Sequence, residues 1–92
     1  MNTSAASELE IINALGLHAR AAAQLVKAAN KYKCEVTLTC EGQSVNAKSI
    51  MGVLMLAAAQ GMKVTVTCEG EGARECLGEI TALVKNRFGE PS

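Results

Sequence analysis

The chain contains a single histidine, His18, and a run of helix-forming residues begins directly after it at Ala19. A neutral imidazole offers a ring nitrogen that can act as a nucleophile at cellular pH. The first N–H groups of a helix have no partner within the helix and carry partial positive charge, so they bind phosphate. Arg20 adds a guanidinium that can hold phosphate oxygens. These residues predict a histidine that carries a phosphoryl group. The alternative is a surface histidine or a simple helix cap.

A short segment further along the chain holds more apolar residues than one buried helix stripe can use: Ile50, Met51, Val53, Leu54, Met55 and Leu56. We expect Val53 and Leu56 to lie in the core. One interpretation is that Ile50, Met51 and Leu54 form an exposed patch beside His18, since flexible methionine suits surfaces that bind several partners. The alternative is that all six residues are core.

Four cysteines are present, and their spacing argues against a metal site or a disulfide framework. The intervals between Cys34, Cys40, Cys68 and Cys76 are 6, 28 and 8 residues, and no C-x-x-C pair occurs. Structural zinc sites normally show closely spaced ligand pairs. In a cytosolic chain a cysteine is more commonly a small buried apolar residue. We therefore expect four core residues and no metal.

Hydrophobic periodicity predicts the elements that hold these residues. Residues 8–12 indicate a short strand, and residues 43–47 indicate another. A stripe at positions 22, 25, 26 and 29 is typical of an amphipathic helix, and a longer stripe over residues 73–88 predicts a second one. Residues 36–40 and 64–68 alternate apolar residues with threonine, as strands that are covered on one face do.

The predicted order is strand, helix, strand, strand, helix, strand, helix. Strands that are covered on one face favour an antiparallel sheet with the helices on that face. The chain is thus predicted to be one α+β domain over residues 8–90, preceded by a flexible tail over residues 1–7.

Composition excludes several classes of function. The 92 residues include 9 basic and 9 acidic side chains, so the formal net charge is zero. A nucleic-acid binder needs a surplus of Lys and Arg, and base stacking needs aromatic residues, of which the chain has only Tyr32 and Phe88. The longest apolar run, residues 50–59, is too short to cross a bilayer. The first seven residues show no signal-peptide pattern, so we expect a cytoplasmic protein that is not inserted in a membrane.

Two separated motifs resemble those of one known family. Gly16-Leu17-His18-Ala19-Arg20 precedes an alanine-rich helix, and Ala47-Lys48-Ser49-Ile50-Met51-Gly52-Val53 follows later in the chain. With both motifs in register, the sequence from residue 8 to residue 90 resembles the histidine-containing phosphocarrier proteins (HPr) of the bacterial phosphoenolpyruvate-dependent phosphotransferase system. Residues 48–61 and the Phe88-Gly89-Glu90 ending resemble the nitrogen-regulatory branch (NPr) of that family.

The resemblance implies an open-faced sandwich of order βαββαβα, a four-stranded antiparallel sheet with three helices on one face. It implies that His18 accepts a phosphoryl group on Nδ1 from phosphorylated enzyme I and passes it to a IIA-type protein. Gly16, Ala19, Arg20 and Ala21 would form the phosphate-binding loop, with Arg20 as the supporting residue. The protein would be a monomeric carrier rather than an enzyme, and no carboxylate cluster beside His18 in the sequence suggests magnesium or another cofactor.

Ser49 matches the family's regulatory serine, so the resemblance implies phosphorylation by a serine kinase and removal by a phosphorylase. The alternative is a serine that only caps a helix. Ala21 departs from the family, which usually has proline after the arginine. Alanine restores an N–H donor and relaxes the first turn. This departure leaves a second hypothesis open, a regulatory protein-binding module controlled through Ser49 in which transfer at His18 is vestigial.

Overall fold

The computed structural model describes residues 3–92. Seven main elements and one short 3₁₀ helix follow one another as β1 (Ser4–Glu10), α1 (Ala19–Ala29), β2 (Glu35–Cys40), β3 (Gln43–Asn46), α2 (Ile50–Met55), β4 (Lys63–Glu69), α3 (Ala73–Lys85) and the 3₁₀ helix Arg87–Gly89. The predicted βαββαβα order of the α+β class is confirmed.

The four strands form one antiparallel sheet in the order β1-β4-β2-β3. In its centre, Val36 lies opposite Cys68 and Leu38 lies opposite Val66. These apolar side chains are buried, whereas the threonines between them are only half-buried. The prediction of strands covered on one face is confirmed.

The helices lie on the covered face and bury their apolar stripes against it. The buried residues of α1 and α3 are Ala21, Ala22, Leu25, Ala28, Ala29, Ala73, Cys76, Ile80 and Val84. The stripe predicted over residues 73–88 is not one helix, because α3 ends at Lys85. Phe88 still reaches the core, but through a turn with left-handed backbone angles.

The first strand begins earlier than residues 8–12, and the tail predicted over residues 1–7 is wrong for residues 4–7. These residues are serine and alanine, which give no apolar alternation in the sequence. Their backbone nevertheless completes the sheet edge, with Ala5 opposite Cys68. Gly70 N–H also donates to the Thr3 carbonyl at 2.6 Å. Residues 1–2 of the predicted tail lie outside the described residues.

Within residues 3–92, no helix has both the length and the apolar character needed to cross a membrane.

Candidate functional site

His18 is the N-cap residue of α1 and has an extended backbone with φ −75° and ψ 180°. Its carbonyl accepts a hydrogen bond from the Ala22 N–H at 2.8 Å, which closes the first helical turn. Its side chain makes no capping hydrogen bond and is 27% exposed. The imidazole therefore has no capping function and is accessible from solvent.

The first turn of α1 offers the backbone N–H groups of Ala19, Arg20 and Ala21. These groups have no acceptor within their own helix, and no backbone carbonyl elsewhere in residues 3–92 accepts from them. The Arg20 side chain is exposed, and the ion pairs of the described residues do not include it. The methyl group of Ala21 is fully buried in the core. Its N–H is one of the three groups in the first turn that have no acceptor within the helix. The turn thus presents donors and a cation next to the imidazole.

Gly16 allows the loop before α1 to pack closely against the segment after α2. It has a φ of +66°, and a Cβ added there would lie 2.5 Å from the Ala58 carbonyl oxygen. That same oxygen accepts a hydrogen bond from the Leu17 N–H at 2.9 Å. Only glycine combines this backbone angle with so close an approach. The residue predicted for the phosphate-binding loop therefore fixes the loop against the segment that follows α2.

The imidazole of His18 is held by a carboxylate from the far end of the chain. The Nε2 atom of His18 is hydrogen-bonded to Oε2 of Glu90. The other carboxylate oxygen accepts from Nδ2 of Asn13 at 3.0 Å, and the same Nδ2 donates to the Gly16 carbonyl at 2.9 Å. The Glu90 side chain is 8% exposed. These hydrogen bonds, first from His18 and then from Asn13, lower the pKa of Glu90 below its usual value.

Left-handed backbone angles in the C-terminal segment bring Glu90 to the imidazole. Arg87 and Phe88 each have a φ of 54°, which side chains other than glycine rarely adopt. Burial of the Phe88 ring and a hydrogen bond from Gln24 Nε2 to the Phe88 carbonyl at 3.0 Å stabilise this turn. Ala14 N–H also donates to the Ser92 carbonyl at 3.1 Å. The segment is thus fastened to α1 and to the loop before it.

Exposed apolar side chains lie on α2 and on the loop before His18. Val53 and Leu56 are buried, as predicted, whereas the remaining large apolar side chains of α2 are exposed: Ile50, Met51, Leu54 and Met55. Leu15, in the loop before His18, is 69% exposed. That loop is joined to the segment after α2 by the hydrogen bond between Leu17 and Ala58. We call the side chains of Leu15, Ile50, Met51, Leu54 and Met55 the apolar surface.

Ser49 is the N-cap of α2, and its Oγ accepts a hydrogen bond from the Gly52 N–H at 3.2 Å. The helix start lies near the C-terminal end of α1, where Asn30 Nδ2 donates to the Lys48 carbonyl at 3.2 Å. Ser49 is exposed. The structure therefore places this predicted regulatory residue away from the N-terminal turn of α1 that carries His18.

The four cysteines are all buried and free, as expected. Three of them nevertheless come together, which their spacing in the sequence does not reveal because each belongs to a different part of the fold. The Sγ atoms of Cys34, Cys68 and Cys76 all lie within 4.8 Å of one another. We call these three residues the thiol cluster.

The structure brings together the predicted residues Gly16, His18, Ala19, Arg20 and Ala21 and adds two that the sequence analysis missed, Asn13 and Glu90. Asn13 is fully buried, and its burial has no local signal in the sequence. In the sequence, Glu90 is distinguished only as part of the Phe88-Gly89-Glu90 ending. No periodic pattern relates it to His18.

Comparisons with known proteins identify a family. A family profile described as "PTS HPr component phosphorylation site" matches residues 5–86. Phosphocarrier protein HPr of Xylella fastidiosa is 47% identical over 83 residues, which are 90% of this chain and 93% of that protein. The crystal structure of HPr-C-His from Thermoanaerobacter tengcongensis superposes with a TM-score of 0.93 at 36% identity, covering 96% of this chain and 99% of that one.

One comparison bears on the branch of the family. Phosphocarrier protein NPr of Shewanella violacea is 37% identical over 85 residues, which are 92% of this chain and 93% of that protein. Its identity is lower than the 47% found for the Xylella protein. Overall identity therefore does not single out the nitrogen-regulatory branch.

Proposed function

Because the chain belongs to the HPr family of the phosphotransferase system and is a phosphocarrier protein, we propose that His18 carries the phosphoryl group on Nδ1. The observation that supports this most strongly is the hydrogen bond between Glu90 and Nε2. The pKa of Glu90 is lowered, so its carboxylate is ionised at neutral pH and can only accept hydrogen bonds. Nε2 therefore carries the hydrogen, and Nδ1 of the neutral ring keeps its lone pair.

In the forward step this lone pair attacks the phosphorus of the phosphoryl group on enzyme I. The N–P bond forms as the bond between phosphorus and the donor group breaks, and the donor keeps that electron pair. No proton has to leave His18, because Nδ1 carries none and Nε2 keeps its hydrogen toward Glu90. In the second step a nucleophile on a IIA-type protein attacks the phosphorus, and Nδ1 leaves with the electron pair.

The first turn of α1 supports both steps. The N–H groups of Ala19, Arg20 and Ala21 and the Arg20 guanidinium are positioned to bind the phosphoryl oxygens. Backbone dipoles and one exposed cation hold the phosphoryl group, whereas Glu90 holds the imidazole. Such a site stabilises the phosphorylated and transferring states without binding either one deeply, which suits a reversible relay. The chain carries the phosphoryl group and has no catalytic turnover of its own. It acts as a monomer in the cytoplasm.

The apolar surface is proposed as the docking face for enzyme I and IIA-type partners. Exposed methionine adapts to differently shaped surfaces, and Met51 is 67% exposed. Leu15 extends this surface into the loop that leads to His18. One face of the carrier thus serves successive partners.

Ser49 is proposed as a regulatory site for a serine kinase and a phosphorylase. Its hydroxyl is exposed and already sits at a helix N-terminus, where a phosphate dianion is tolerated. The added charge would lie beside Ile50 and Met51 and would repel an acidic partner. Regulation then acts on docking rather than on folding.

Ala21 gives little support to the rival hypothesis of a vestigial carrier. Its N–H lies in the free first turn, so alanine adds a donor to the site instead of removing one. Its methyl group is buried and leaves the first turn helical. The regulatory module controlled through Ser49 remains the second candidate, to be separated by experiment.

The test is incubation with phosphoenolpyruvate and enzyme I, followed by intact mass measurement before and after acid treatment. We expect one added phosphoryl group that is labile to acid, present in Ser49→Ala and absent in His18→Ala. An active enzyme I that leaves the folded protein unmodified would contradict the proposal and favour the regulatory module. An adduct that persists in His18→Ala would contradict the assignment of the residue.

A further inference from the structure

The thiol cluster is built from three separate parts of the fold. Cys34 lies just before β2, Cys68 lies in β4, and Cys76 lies in the first turn of α3. All three side chains are buried, with exposures of 0 to 1%. Their Sγ atoms lie within 4.8 Å of one another. Three sulfur atoms therefore converge on one point inside the protein.

The donor set indicates the kind of ion that would fit. Among residues 3–92, the cluster contains three thiols and no histidine or carboxylate. A metal–sulfur bond of about 2.3 Å places three trigonal sulfur atoms about 4.0 Å apart, which is compatible with three Sγ atoms that lie within 4.8 Å of one another. Thiolates bind both zinc and monovalent copper, but structural zinc takes four protein ligands, so a set of three thiols fits monovalent copper better. We infer that Cys34, Cys68 and Cys76 form a trigonal binding site for Cu(I).

Cu(I) binds by ligand exchange without electron transfer. Cu(I) forms three Cu–S bonds, and each thiol that becomes a thiolate releases its proton to solvent. Burial raises the pKa values of Cys68 and Cys76, so both side chains are thiols before the ion binds. Copper enters already reduced, so no oxidant or reductant takes part.

Two loops lie against each other beside the cluster. Gly70 has a φ of +118°, and a Cβ there would lie 3.4 Å from Cys34 Cα. A Cβ on Gly72 would lie 3.1 Å from the Tyr32 ring. The loop before β2 and the loop after β4 therefore approach each other closely. Opposed carboxylates of Glu35 and Glu69 lie at the same end of the sheet and attract cations there.

The thiol cluster is separate from the site around His18. Cys34 follows the C-terminal end of α1, whereas His18 precedes its N-terminal end. A helix of 11 residues is about 16 Å long. Copper binding and phosphoryl transfer can therefore be measured independently, and the inference does not rest on the proposed function.

The experiment is titration of the reduced protein with Cu(I) under anaerobic conditions, in competition with a chromophoric Cu(I) chelator. We expect one ion per chain, and X-ray absorption should show three sulfur neighbours. Cys68→Ala and Cys34→Ala should each weaken binding by more than about 100-fold, since loss of a contact outside the ligand shell alone costs 10–100-fold. Cys40→Ala is the matched control, because Cys40 is buried in β2 but outside the cluster, and it should bind normally.

Several results would overturn the inference. Binding that survives in both cluster variants would place copper elsewhere, for example on the exposed methionines. Equal weakening by Cys40→Ala would show a general effect of core mutation. Fewer than three sulfur neighbours would contradict the trigonal geometry. Circular dichroism identifies any variant that fails to fold, and Cys34→Ala, which changes a loop residue, then remains as the test.

Discussion

Glu90 is hydrogen-bonded to Nε2 of His18 although 72 residues separate them in the sequence. The contact depends on the left-handed turn at Arg87 and Phe88, which returns the chain end to the start of α1. The loop before α1 fixes the position of the histidine, and the C-terminal segment fixes which ring nitrogen is free. The two ends of the domain therefore define the site jointly.

Glu90→Gln should slow phosphorylation of His18 by enzyme I by about tenfold or more, because a neutral amide no longer selects one tautomer of the ring. The amide can donate to Nε2 as well as accept from it. We expect ¹⁵N NMR of the histidine ring to show a smaller fraction of the tautomer that carries hydrogen on Nε2. The rate is measured with phosphoenolpyruvate and a limiting amount of enzyme I.

Glu79→Gln is the matched control for this change. Glu79 is also a hydrogen-bonded glutamate of lowered pKa, but its partners are Lys31 and Tyr32 on another face of the protein. Its replacement should leave both the tautomer and the rate unchanged. A Glu90→Gln protein with the tautomer and rate of the wild type would show that the carboxylate does not position the imidazole.

Gly16→Ala should lower the free energy of unfolding by about 3 kcal/mol and slow transfer. It combines a left-handed φ with a Cβ 2.5 Å from a backbone oxygen. Gly42→Ala separates the two causes, because Gly42 has a φ of +80° and nothing within 4 Å of an added Cβ. Gly42→Ala should cost only about 1 kcal/mol in urea unfolding and leave transfer unchanged. Equal costs would mean that the approach to Ala58 is unimportant.

Local patterns predicted one half of this site and could not predict the other. The stripe of α1 and the position of His18 before it are visible because helix periodicity and helix ends are properties of neighbouring residues. The placement of Glu90 depends on positive φ angles at Arg87 and Phe88, which no local pattern marks. The strand at residues 4–7 escaped prediction because small side chains show no alternation. The thiol cluster escaped it because tertiary packing alone unites its three residues.

Ser49→Asp should leave the thermal midpoint nearly unchanged but slow transfer from enzyme I. Aspartate caps a helix about as well as serine does, and its charge lies beside the apolar surface. Ser49→Ala should show the opposite pattern, a loss of about 1 kcal/mol from the missing cap with normal transfer. An aspartate variant that melts much earlier and transfers normally would assign Ser49 a structural role alone.

Met51→Glu should weaken docking of enzyme I without unfolding the protein. Met51 is 67% exposed, so a charge there costs little in the free protein but must be desolvated in a complex. The expected result is a higher KM for this carrier as the substrate of enzyme I. Ala82→Glu, at an exposed position of α3, makes the same change of charge elsewhere and should leave the KM unchanged. Unaltered kinetics of Met51→Glu would exclude this part of the apolar surface from docking.

We propose that Glu90 occupies Nε2 and leaves Nδ1 of His18 to accept the phosphoryl group. The most direct measurement is long-range ¹H–¹⁵N NMR of the protein phosphorylated by enzyme I, with ¹⁵N-labelled histidine. Because His18 is the only histidine in the chain, its ring signals are unambiguous. We expect a phosphorylated Nδ1 and an Nε2 that still bears hydrogen. Phosphorylation on Nε2, or an unmodified ring in a phosphorylated protein, would contradict it.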